Sequence, residues 1–82
     1  MEKGGAVPVE VSVTNRTISA RLDAASELSF RQVQVMDISG RMLSKQTYRN
    51  ASSIQIPSTS GLRVLRFILS DGTACTFRLR VD

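Results

Sequence analysis

Val7, Val9, Val11 and Val13 alternate with Pro8, Glu10 and Ser12, and the same period of two returns at Ile18, Ala20 and Leu22, at Ile54 and Ile56, at Leu65, Phe67 and Leu69, and at Cys75, Phe77 and Leu79. Successive side chains of a strand point to opposite faces, so such a row sets one face against a core and leaves the other to solvent. No window of useful length carries an apolar stripe at the 3.6-residue spacing of a helix. The chain is therefore predicted to be all-β.

Turn chemistry divides the rows. Thr14-Asn15-Arg16 reverses the first strand, Asp37-Ile38-Ser39-Gly40 makes a tight turn, and Asp71-Gly72 makes another. An aspartate carboxylate accepts nearby backbone N–H groups, and glycine supplies a positive φ, so Asp37, Gly40, Gly61, Asp71 and Gly72 are assigned structural turn roles. Pro8 suits a strand start or an edge. Val33 to Ile38 reads as the central strand, with Val33 and Val35 facing one way and Met36 and Ile38 the other. Arg41 to Thr47 is read as its return strand, 48–52 as a polar loop, and Ile54 and Ile56 as a short strand ended by Pro57. The segment 23–27 is read as a loop carrying the chain between sheets. The expected architecture is a small immunoglobulin-like β-sandwich of about seven or eight antiparallel strands. Residues 1–6 are expected to form a flexible N-terminus and 7–82 a single domain, because a chain of 82 residues has room for one modest core.

Asp37-Ile38-Ser39-Gly40-Arg41, then Ser60-Gly61-Leu62 leading into Val64 to Leu69, then a last strand from Cys75 to Val81, follow one another in an order that resembles the C-terminal sorting domain of proteins secreted by the type IX system of Bacteroidetes. In that family a strand ending in Asp-x-x-Gly-Arg precedes one opening Gly-Val-Tyr-x-Val, and the chain stops soon after one more strand. The resemblance covers about Asn15 to Asp82. It implies a folded address or anchor rather than a catalyst, recognised by outer-membrane secretion or anchoring machinery, with a signal peptide upstream of this fragment and a secreted or cell-surface location. The positions it points to as a partner surface are Arg63, Arg66, Arg78, Arg80 and Val81. The sequence departs from the family pattern in three respects: Arg16 follows Asn15 where an Asn-Pro pair is usual, Arg63 stands in place of the tyrosine, and Val81-Asp82 replaces a basic tail. The departures at Arg63 and at the terminus favour a second reading, a structural or adhesive module of the same fold that binds a polysaccharide or a protein.

Composition narrows the chemistry. The chain has no histidine and one cysteine, so the usual base for a nucleophilic serine, an intramolecular disulfide and an ordinary zinc set are all missing. The carboxylates stand mostly at turns and termini, where acids serve the backbone. No catalytic, metal-binding or cofactor-binding residue is therefore assigned. Cys75 alternates with Phe77 and Leu79 and is expected to be a buried structural thiol. Asn15-Arg16-Thr17 and Asn50-Ala51-Ser52 fit the acceptor pattern for N-glycosylation but read more simply as turn asparagines.

The net charge of +4 rests largely on arginine, which favours anionic partners such as a polysaccharide, lipopolysaccharide or an acidic protein. Four aromatic residues, three of them in apolar rows, supply no base-stacking platform, so specific nucleic-acid binding is not expected. No segment reaches the length of about 18 apolar residues needed for a membrane helix.

The closing hairpin poses a conflict. A two-residue Asp71-Gly72 turn would set Arg66 opposite Phe77 and mix charge into both faces. A shift of one residue, through a three-residue loop or a bulge, keeps Leu65, Phe67 and Leu69 on the face of Cys75, Phe77 and Leu79 and groups Arg66 with Arg78. Burial favours that shift, with Leu65 opposite Leu79 and Phe67 opposite Phe77.

Overall fold

Asn15 and Arg16 both take left-handed backbone angles, φ 50° and 58°, in the computed structural model, which describes residues 9–23 and 27–82. Two consecutive positive φ values match the right-handed twist of flanking strands, and Thr14 pairs directly with Thr17 across the turn. The non-glycine Arg16 is held there in part because its carbonyl accepts the N–H of Ser58 at 2.8 Å. This turn joins β1 (Val9–Thr14) to β2 (Thr17–Leu22); β3 (Phe30–Met36), β4 (Met42–Ala51), β5 (Ser53–Pro57), β6 (Gly61–Leu69) and β7 (Ala74–Val81) follow.

These seven antiparallel strands form two sheets, ordered β1-β2-β5 and β4-β3-β6-β7. The chain crosses between sheets at β2 to β3, β4 to β5 and β5 to β6, which gives an immunoglobulin-like β-sandwich. The register explains the core. Val11, Ala20 and Ile54 align across the three-stranded sheet, as do Val13, Ile18 and Ile56. From the other sheet Val33, Val35, Leu65, Phe67, Leu69, Cys75 and Val81 join the same buried cluster. Phe67 lies between two rings, 5.5 Å from Phe30 and 5.5 Å from Phe77. Each fully buried aliphatic or aromatic side chain contributes about 1.5–3 kcal/mol. Among the described residues no polar or charged side chain is buried.

The expected boundaries of the central pair move. β3 ends at Met36, so Ile38 is a loop residue, 69% exposed at the tip of the β3–β4 connection. The reason is Asp37: its carboxylate gathers the loop's N–H groups, and its own N–H and C=O bond Arg41 and Gly40, which closes the turn before Ile38 can extend the strand. β4 runs on through the expected 48–52 loop to Ala51. Its pairing with β3 skips between Thr47 and Ala51, a bulge in which Asn50 has φ 52°. The N-terminal segment 1–6, the strand start at Val7 and Pro8, and most of the 23–27 loop lie outside the described residues.

The β6–β7 hairpin has the expected faces but not the expected partners. Leu65 lies opposite Phe77, Phe67 opposite Cys75 and Arg66 opposite Thr76. The one-residue shift runs in the other direction, because Leu69 rather than Ser70 closes the ladder: its N–H bonds the carbonyl of Thr73, and Gly72 N–H returns to the carbonyl of Leu69. Ser70, Asp71 and Gly72 thus form a three-residue loop with Gly72 at φ +90°, and Asp71 Oδ1 accepts the N–H of Thr73 at 2.9 Å. Parity is set by burial, and the choice between the two shifts of equal parity is set by this loop.

Candidate interaction surface

The outward positions of the four-stranded sheet follow from the register. Lys45 on β4, Gln34 on β3, Arg66 on β6 and Thr76 on β7 form one row across the sheet. The next row holds Met42, Met36, Val64 and Arg78, and beyond it Leu62 pairs with Arg80. Arg66, Arg78 and Arg80 are exposed, whereas Met36 and Val64 are half-buried among their neighbours. Gln34 Nε2 donates to Gln32 Oε1 at 2.7 Å, which ties up part of the central polar strip.

Arg63 and Val81, expected on the partner surface, are not part of it. Val81 is 1% exposed and closes the core at the end of β7. Its parity on the strand is that of Cys75 and Phe77, so it points inward. Arg63 has the parity of Leu65, and its guanidinium folds back over the β5–β6 loop. Nη1 donates to the carbonyl of Leu62 at 2.7 Å, and Nη2 to Thr59 Oγ1 and to the carbonyl of Ser60. Nε is buried with no hydrogen-bond partner. The tyrosine position of the resemblance is thus occupied by a loop staple.

The turn residues stand where the backbone bends. Gly40, Gly61 and Gly72 have φ of +92°, +130° and +90°. Asp37 Oδ1 accepts from Ser39 Oγ, Ser39 N–H and Arg41 N–H, and the Ser39 hydroxyl first, then the Arg41 N–H, hold its carboxyl below the usual range. Asp71 is lowered likewise by the Thr73 hydroxyl and then the Thr73 N–H. Burial pushes the Cys75 thiol up, and the negative charge of Asp71 adds to it.

A clamp at the far end of the sheet carries no pattern legible in the sequence. Ser70 N–H bonds the carbonyl of Ser29, Ser70 Oγ accepts the N–H of Ser29, and Arg31 Nη2 donates to the carbonyl of Ser70. It anchors the β6–β7 loop to the start of β3. The partners lie 39 and 41 residues apart, and the signal is only a serine before Asp71-Gly72.

The outer face of the three-stranded sheet is different in kind. Serines line it, and its two charges cancel, Arg21 Nη2 lying 2.7 Å from Glu10 Oε1. Such an exposed pair adds at most about 1 kcal/mol. A shallow cleft of about 310 Å³ opens between Leu43 and Ser44 on β4 and Pro57 at the end of β5 with the following Ser58 and Thr59, floored by Val35. It carries no titratable group. Among the described residues no three His, Cys, Asp or Glu side chains gather as a metal site, and no helix is long and apolar enough to cross a membrane.

Comparison with models of known protein families gives no match, and comparison with curated proteins gives no significant one.

Proposed function

We propose that the chain is a non-catalytic C-terminal sorting or anchoring domain of a secreted or cell-surface bacterial protein, recognised as a folded unit by outer-membrane secretion or anchoring machinery. The observation that carries this reading is the two-sided closing hairpin. One side of β6 and β7 completes the core, and the other holds Arg66, Arg78 and Arg80 outward. The strand and turn order of the sorting-domain resemblance supports it. A reporter preceded by an export signal and fused to residues 1–82 tests it in a host with a type IX system. Delivery of the reporter to the cell surface is the expected result, and its retention in the periplasm rejects the reading.

A structural or adhesive sandwich that binds a polysaccharide or a protein is the alternative. It is favoured by the burial of Val81 in the core and by the bonding of the Arg63 guanidinium to its own β5–β6 loop, which engages both within the domain. Retention of the reporter together with tight binding of a surface glycan would select it.

A further inference from the structure

With eleven cations and seven carboxylates in the chain, Lys45, Arg66, Arg78 and Arg80 equal in number its whole net charge of +4. All four occupy outward positions of one sheet, and among the described residues none of them makes an ion pair and none of the outward positions of these strands carries a carboxylate. Beside them lie the apolar side chains of Met36, Val64 and Leu62, the last 40% exposed. We infer that the outer face of β4-β3-β6-β7 docks an acidic protein segment that carries apolar side chains between its carboxylates. The inference rests on the reading of the domain as a binding module and names the chemistry of its partner.

Charge complementarity selects the occupant. Arginine forks bind carboxylates bidentately, and Arg66 stands diagonal to Arg78, within reach of neighbouring carboxylates on one extended strand. A second copy of the same face would oppose like charges. A polysaccharide or nucleic acid would meet the cations but leave Met36 and Val64 against polar groups, and the face has no aromatic ring on which bases could stack. A lipid surface calls for apolar groups that project beyond the cations. Here Met36 and Val64 are half-buried in the plane of the sheet, and the two exposed apolar side chains of the face, Met42 and Leu62, stand in different rows on non-adjacent strands rather than as one projecting patch. Three strand spacings make the face about 15 Å wide, and the nine residues of β6 make it about 30 Å long; the resulting area of about 450 Å² falls short of the roughly 800 Å² per partner of a standard stable interface. The complex is therefore weak, salt-sensitive and suited to transient handling.

The test uses the isotopically labelled chain, with amide shifts followed during titration. The probe is a short soluble peptide in which glutamates alternate with leucine and valine; oligoglutamate, a heparin oligosaccharide, a single-stranded oligonucleotide and phosphatidylglycerol vesicles are compared with it. Saturable binding tightest for the mixed peptide, with shifts centred on Met36, Val64, Arg66 and Arg78, is expected. Replacing Arg66 and Arg78 together by glutamine should weaken it about tenfold or more. Val64→Thr keeps the β-branched shape and should weaken the mixed peptide but not oligoglutamate. Equal or tighter binding of heparin, oligonucleotide or vesicles overturns the inference, as do shifts centred on the three-stranded sheet or no saturable binding at all. Surface delivery of the reporter with no peptide binding rejects this inference alone; peptide binding without delivery rejects the sorting role alone.

Discussion

A β-carbon on Gly61 would lie 2.8 Å from Nη1 of Arg63, and φ there is +130°, so the backbone requires glycine and the added carbon would also push the movable guanidinium end off its loop partners. At Gly40 only the backbone does, since nothing lies within 4 Å of the added carbon. A β-branched residue at a positive φ costs about 1–3 kcal/mol. Gly40→Val should fall in that range, and Gly61→Val above it, as read from urea midpoints. Combining Gly61→Val with Arg63→Ala should bring its cost back toward that of Gly40→Val, because the opposing guanidinium is gone; an undiminished penalty would show that strain resides in the backbone alone. Asp37 and Asp71 make a second prediction at this scale. Their folded pKa values are lowered, so their contribution is present above the unfolded carboxylate value of about 3.9 and is lost as pH falls through the folded one. The urea midpoint should therefore hold steady from neutral pH to about 5 and decline below about 4. Asp37→Asn, which keeps an acceptor oxygen but not the titration, should make that decline shallower.

The closing hairpin carries the predictions that belong to elements. Phe67 is fully buried on β6 between the rings of Phe30 and Phe77, so Phe67→Ala should cost about 3–5 kcal/mol. A domain of this size has a total stability of about 4–12 kcal/mol, and that single change removes much of it. Cys75 sits opposite Phe67 with its thiol pushed up by burial. Labelling by a thiol reagent at neutral pH should be slow in the native protein and rise with the unfolded fraction in urea. Rapid stoichiometric labelling without denaturant would place Cys75 outside the core and with it reverse the faces of β7, including the outward position of Arg78. On β4 residues of loop composition sit inside the strand. Tyr48-Arg49-Asn50 resembles a loop by composition, and only the partner strand β3 shows it to be a bulge within a continuous strand.

For the molecule as a whole, the two outer faces divide by charge. The three-stranded sheet neutralises itself through Glu10 and Arg21, and the four-stranded sheet keeps its cations unpaired among the described residues. Association with any polyanion should accordingly be steered by one face. If DNA binding is measured, its logarithmic salt slope should be no steeper than about −4, the limit for four neutralised phosphates. It should also show no sequence preference. A preference that persists at physiological ionic strength would require a reading surface other than this one.

The alternation of Val9 to Val13, of Leu65 to Leu69 and of Cys75 to Leu79 was enough to determine an all-β chain and to say which side chains enter the core, because a strand has only two faces and burial strongly favours one of them. The turn roles of Asp37, Gly40 and Gly72 were equally legible, since their chemistry acts within a few residues. What the tertiary structure decided was everything that depends on a distant neighbour. It chose between two hairpin registers of the same parity, with Ser29 and Arg31 clamping the loop, and carried β4 through a bulge shaped by β3. It also drew Arg63 and Val81 out of the expected partner surface. A local pattern specifies the direction in which a side chain points, whereas the group waiting there to bond or cover it comes from another part of the chain, and only folding brings the two together.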